Sequence, residues 1–222
     1  MTLKSAAKAA SEFSKPFFLK RQKIKNPFCV IECGMTEKIL PSPALQTVFV
    51  SREISNCPLI SDMIQLGRSL KQYGITDNES GMLSLNYGKR MLINAKNVDI
   101  KTMTQQDVVE IVDYDPLKNI MMVIGSKDPC REAPVHWIIQ KARHDINALL
   151  QINSITIYKK LEGMLPTTEK ETQPGTLERA KEILRTARKE KTIAIRNEGV
   201  LFAGMQLREI QKALENQLGE QK

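Results

Sequence analysis

From Pro58 onward the chain alternates between helical and strand periodicities. Leu59, Met63, Leu66, Leu70 and Tyr73 recur at helical spacing, and Gly74 is placed to stop that helix. Met82-Leu83-Ser84-Leu85 and Met91-Leu92-Ile93 predict short strands joined at Asn86-Tyr87-Gly88-Lys89. Val108–Val112 and Ile120–Ile124 predict a hairpin whose turn is Asp113-Tyr114-Asp115-Pro116. A helix over Glu132–Arg143 and an apolar strand over Ile146–Leu150 follow. Leu177, Ala180, Leu184 and Ala187 then line a helix that Thr176 can cap. Thr192–Ile195 and Val200–Phe202 read as strands split by Asn197-Glu198-Gly199, and Leu207, Ile210, Ala213 and Leu214 line a last helix. Strands running mostly in meanders with helices at their flanks define an α/β sandwich.

Before Pro58 the pattern is irregular. Pro27, Pro41, Pro43 and Pro58 interrupt helices, leaving Cys29-Val30-Ile31 and Val48-Phe49-Val50 as short edge strands. The first 26 residues carry Lys4, Lys8, Lys15, Lys20, Arg21, Lys23 and Lys25 against one acid, Glu12. An organelle-targeting segment and a basic arm docking on an acidic surface both fit this composition. The preference for Lys over Arg favours the arm. The expected organisation is a basic, partly irregular extension over 1–57 and a folded domain over 58–222.

Composition adds limits. The chain has 222 residues, 41% of them hydrophobic and 26% charged, which suits a globular domain of ordinary size. No apolar run approaches the roughly 20 residues of a membrane span. A net charge of +8 points to acidic partners such as RNA, anionic lipid, a phosphorylated ligand or an acidic protein. Cys29, Cys33, Cys57 and Cys130 are irregularly spaced, which argues against a disulfide framework and for reduced thiols inside a cell, in cytoplasm or mitochondrial matrix. Aromatic residues, 5% of the chain, are too sparse for a base-stacking platform, so any nucleic-acid contact would run through the Lys-rich arm to the backbone.

Three segments carry the candidate chemistry: Cys130-Arg131-Glu132-Ala133-Pro134-Val135-His136, Ala148-Leu149-Leu150-Gln151-Ile152-Asn153-Ser154 and Arg196-Asn197-Glu198-Gly199-Val200-Leu201. In this order they resemble the zinc sugar-phosphate aldolases of the class II aldolase/adducin family, where they read S-S-E-x-P-x-H, V-V-H-x-H-S and N-H-G-x-x. Gly81-Met82-Leu83-Ser84-Leu85, Met91–Asn97, Thr104–Val109 and Ala142–Ala148 are similar to further family stretches, so the resemblance runs from Leu59 to the end. It implies a three-layer sandwich, a mainly antiparallel central sheet flanked by helices, to which the basic N-terminal extension is added. It also implies a possible homo-oligomer, although the stretch between Asn153 and Glu198 is shorter than the family's.

The resemblance implies that three imidazoles should hold zinc beside a glutamate. Here Gln151, Asn153 and Glu198 stand at the imidazole positions, and Glu132 keeps the acid/base position. Amide oxygens are poor zinc ligands, and the set Glu132, Gln151, Asn153 and Glu198 would suit Mg²⁺ or Ca²⁺ better. Mutual hydrogen bonding without any ion is the favoured reading, and no cofactor is expected. At the phosphate-binding positions Met82 replaces an Asn, with Lys96 and Arg131 nearby. Those two cations would either attract an anion, or Arg131 would pair with Glu132 or Glu198 and fill the vacated pocket; filling is favoured. His136 reads as a structural residue, and His144 as a partner for the last carbonyls of its helix. The expected function is a non-catalytic structural or binding subunit of a larger assembly of proteins. A metal-dependent sugar-phosphate aldolase or epimerase using Glu132 is one alternative, and a binder of small anionic metabolites at Lys96 and Arg131 is another.

Overall fold

The computed structural model describes residues 44–76 and 79–219. The basic residues Lys4 to Lys25 and the expected strand Cys29-Val30-Ile31 lie outside the described residues.

Eight strands form one sheet: β1 (Gln46–Ser51), β2 (Ser80–Tyr87), β3 (Arg90–Asn94), β4 (Val108–Asp115), β5 (Ile120–Ile124), β6 (Ala148–Asn153), β7 (Thr192–Ile195) and β8 (Gly199–Gly204). Their order is β1-β5-β4-β3-β2-β6-β8-β7. Every pairing is antiparallel except that of β1 with β5. The α-helices among the described residues are α1 (Ile60–Ser69), α2 (Ala133–Ala142), α3 (Ile155–Leu161), α4 (Leu177–Ala187) and α5 (Leu207–Leu218). This is the mainly antiparallel three-layer sandwich expected from the sequence. Among the described residues no helix is long and apolar enough to cross a membrane.

Strand alternation assigns side chains to the two faces. Leu83, Leu85, Leu92, Leu150, Ile152, Val200 and Phe202 point to one face and form a core with α1, α3 and α5. The opposite face is covered by α2 and α4 and holds two apolar clusters instead of one. Met82, Met91, Ile93, Val109, Ile111, Met121 and Val123 form the first with Trp137. Leu149, Ile193, Ile195, Leu201 and Ala203 form the second with Val135, Ile139, Ala180 and Ile183. Buried polar side chains on this face include Ser84, Glu132, His136, Gln140, Gln151 and Arg179. That polar set is where the candidate site sits.

The structure moves several expected boundaries. The sheet begins before residue 58, because β1 adds a parallel edge strand alongside β5. The β4–β5 turn is Pro116–Asn119, not Asp113–Pro116. Asp115 remains in β4, and its Oδ1 accepts from the N–H groups of Leu117 (2.9 Å) and Lys118 (3.2 Å). Asp at the first corner and Pro at the second suit a turn there, and the left-handed Asn119 (φ 53°) closes it. A register shift between Ile111 and Asp113 absorbs the longer strand. Helix α3 has a signal the periodicity did not show: the Ser154 hydroxyl accepts from the Ile157 N–H at 3.0 Å, an N-cap that starts a helix in β-branched sequence. Gly74 does stop the first helical segment, in the left-handed conformation at φ 78°.

Candidate functional site

Each residue of the site is placed by its own element. Glu132 is the residue preceding α2, whose second position is Pro134. Gln151 and Asn153 alternate along β6 and share a face, with Gln151 opposite Met82 of β2 and Asn153 opposite Gly199 of β8. Glu198 lies in the three-residue turn between β7 and β8, where its N–H donates to the Ile195 carbonyl at 3.0 Å. Gly199 must be glycine for this turn to sit against β6, because a Cβ there would lie 1.9 Å from the Ile152 carbonyl oxygen.

These placements converge on a residue that the sequence reading did not single out. Arg179, in the first turn of α4, is 1% exposed and sends its guanidinium into the polar layer. Nη1 and Nη2 donate to Oε2 and Oε1 of Glu198 at 2.7 and 2.6 Å, a bidentate fork. Nη1 also donates to the Thr172 carbonyl at 3.2 Å, and Nε stands 2.9 Å from Glu132 Oε1. Gln151 Nε2 donates to Asn153 Oδ1 at 2.9 Å and reaches Glu198 Oε1 at 3.4 Å. The pocket is therefore filled, but by Arg179 and not, as expected, by Arg131. Consecutive side chains diverge: Glu132 turns into the polar layer, while Arg131 faces outward into a cleft.

That cleft, about 560 Å³, is lined by Lys96, Arg131, Asn119, Asp128, Gly175 and Thr176 among others. The structure thus brings Lys96 and Arg131 together, separately from the Glu132–Arg179–Glu198 group. Gly175, at φ 76°, packs where a Cβ would meet the Arg131 carbonyl oxygen at 2.5 Å, so the loop before α4 closes tightly on the segment leading to α2. Met82 belongs to the apolar cluster around Trp137.

Burial sets the protonation states. The Glu132 carboxyl is pushed up to about 7, chiefly by burial, with Glu198 adding to the rise and Arg179 and Arg131 opposing it. His136, fully buried, is pushed down to about 3 by burial, with Gln151 opposing and Arg179 reinforcing the fall. It is a neutral, structural imidazole at neutral pH. Ser84 Oγ accepts from Gln140 Nε2 at 3.0 Å and lies 2.8 Å from His136 Nδ1, which ties the imidazole to β2. Burial pushes the Cys130 thiol up to about 12, so it is not a nucleophile. His144 is exposed just beyond α2.

The donor set does not fit a catalytic zinc. The former imidazole positions offer two amides and one carboxylate, and that carboxylate is already held at both oxygens by a guanidinium. Arg179 and a dication would compete for the same oxygens. Among the described residues no group of three or more His, Cys, Asp or Glu side chains could hold a metal ion.

A mainly antiparallel sheet between two helical layers, with these three segments meeting on one face, defines a class II aldolase-type domain. Residues 61–157 match the family model for the Class II Aldolase and Adducin N-terminal domain. No curated protein matches the chain. Among solved structures, an L-fuculose 1-phosphate aldolase is similar at 20% identity and a TM-score of 0.61, over 73% of this chain and 82% of that one. The L-fuculose-1-phosphate aldolase of Thermus thermophilus is similar at 18% identity and a TM-score of 0.56, over 72% and 90%. The N-terminal class II aldolase domain of a conserved protein from Thermoplasma acidophilum gives 13% identity and a TM-score of 0.56, over 76% and 93%. At these identities the likeness establishes the fold.

Proposed function

We propose that this chain is a non-catalytic class II aldolase-type domain that serves as a structural or binding subunit. The observation that carries this reading is the Arg179 guanidinium, buried within 2.6 to 2.9 Å of both Glu198 and Glu132 where the family's enzymes place a metal. A metal there polarises a substrate carbonyl through an open coordination position. Arg179 is held by hydrogen bonds to Glu198 and Thr172 and lies in ion-pair range of Glu132, which is 2% exposed. Elemental analysis of the purified full chain is expected to find zinc far below one ion per chain, also after incubation with zinc and desalting. Stoichiometric zinc, or stoichiometric Mg²⁺ or Mn²⁺ accompanied by aldol cleavage of a sugar phosphate, would overturn the reading in favour of a metal-dependent lyase.

A second reading concerns the binding role, and the cleft carries it. Lys96 and Arg131 line one opening, a pair of cationic donors suited to a small phosphorylated or carboxylated ligand. Sugar phosphates at millimolar concentration are expected to raise the melting temperature of the wild type by a few degrees, and Lys96→Ala is expected to abolish the shift. A shift that survives Lys96→Ala, or none across a broad anion panel, would remove this role from the cleft.

A further inference from the structure

Resting on the non-catalytic reading, we propose that the pocket formed by Glu132, Glu198 and the Thr172 carbonyl is a guanidinium-binding site. The intact chain fills it with its own Arg179 side chain, and a free alkylguanidinium ion binds there when that side chain is removed.

The geometry is that of a receptor for a planar, three-sided cation. Two of the guanidinium nitrogens are held by hydrogen bonds, Nη1 and Nη2 to the two Glu198 oxygens at 2.7 and 2.6 Å and Nη1 also to Thr172 O at 3.2 Å, while Nε lies 2.9 Å from Glu132 Oε1 as an ion pair without a hydrogen bond. An ammonium group placed in the same space could not satisfy the fork and Glu132 together. The oxygens are supplied by three separate parts of the chain, the start of α2, the β7–β8 turn and the loop before α4. None belongs to the helix that carries Arg179, so removing the side chain leaves the binding groups in place. Two close backbone approaches hold those parts in register, Gly175 on the Arg131 carbonyl and Gly199 on the Ile152 carbonyl. The pocket is closed at Glu132, whose side chain is 3% exposed, and open at Glu198, at 25%, which gives an external ion an entrance.

Charge balance favours the same ligand. A dication would neutralise both carboxylates, whereas a guanidinium neutralises one. The other, Glu132, is the carboxyl that burial pushes toward its protonated form.

The test uses the full chain with Arg179→Ala and ethylguanidinium chloride, which reproduces the deleted atoms beyond Cβ. Arg179→Ala is expected to melt on the order of 10 °C below wild type. Ethylguanidinium at about 10 mM is expected to recover several degrees of that loss in the variant and none in the wild type, where the site is filled. Ethylammonium chloride at the same concentration is expected to have no effect. Equal rescue by both ions, or rescue by Zn²⁺ and not by ethylguanidinium, overturns the proposal. Should Arg179→Ala not fold, Arg179→Lys gives an independent answer: it is expected to melt several degrees below wild type, and a wild-type melting temperature would show that a planar cation is not required. Zinc bound to the wild-type protein would instead sink the non-catalytic reading, so the two failures are read on different samples.

Discussion

Arg179→Met is expected to lower the melting temperature by on the order of 10 °C, and adding Glu132→Gln and Glu198→Gln to it is expected to restore most of the loss. Methionine keeps most of the apolar stem and removes the charge, so the deficit reports the carboxylates left behind. Removing one member of a buried ion pair typically costs about 3–5 kcal/mol, because the remaining charge has lost water and gained no partner. Glu198 is a quarter exposed, so solvent recovers part of its cost and the figure belongs at the lower end. Replacing every charge with a neutral isostere removes that penalty, which is why the triple variant recovers. Thermal and urea unfolding of the wild type, Arg179→Met, the Glu132→Gln/Glu198→Gln double variant and the triple variant checks this as a mutant cycle. If Arg179→Met melts within about 2 °C of wild type, the guanidinium is not holding this face of the sheet together.

Glu132→Gln is expected to have little effect on stability near pH 4.5 and to stabilise the protein progressively up to pH 8. The sign follows from the folded-state carboxyl lying at about 7 against an ordinary value of 4.5. A group raised on folding contributes stability that is present below its unfolded value and lost as pH rises through its folded value. Glutamine mimics the protonated form and abolishes that loss, by up to about 3 kcal/mol for a shift of this size. Arg179, Arg131 and Glu198 are the charged groups acting on this carboxyl. His136 contributes the opposite slope. Its folded value near 3 means stability is lost as pH falls from about 6.5 toward 3. Between pH 4.5 and 6.5 the two slopes oppose each other in the wild type, and Glu132→Gln leaves the histidine slope exposed. Unfolding free energies of both chains from pH 4 to 8 test this. A Glu132→Gln chain that is destabilised equally at both ends of that range contradicts it.

Much of this architecture can be read from spacing alone. The helix ending at Gly74, the Thr176 cap, whose hydroxyl accepts from the Arg179 N–H at 3.2 Å, and the paired strands around Asn197–Gly199 are local signals that tertiary packing reinforces. The segments carrying Glu132, Gln151, Asn153 and Glu198 are also recognisable, and the fold brings all four together. What spacing conceals is Arg179. In an amphipathic helix an arginine ordinarily belongs to the solvent face, and the apolar spacing points to Leu177, Ala180, Leu184 and Ala187. The fold turns the helix differently: Leu177 is 43% exposed, while Arg179, Ala180, Ile183 and Ala187 face inward. Arg179 stands four and eight residues before Ile183 and Ala187, so its place on the buried stripe is visible in principle. Its meaning requires knowing that two carboxylates wait opposite. The parallel strand β1 is obscured for another reason: its partner β5 lies about seventy residues away, and no local pattern encodes that pairing.

A cation supplied by one of the chain's own side chains has a consequence for how such a protein lives. A metalloprotein folds to the extent that its ion is available, and it competes for that ion with every chelator in its surroundings. Arg179 is delivered with each newly made chain, one per molecule, at an effective concentration set by the short stretch between Thr172 and α4. Neither metal scarcity nor metal exchange can alter its occupancy. On the proposed non-catalytic reading, a domain anchored in this way assembles alike under any metal supply.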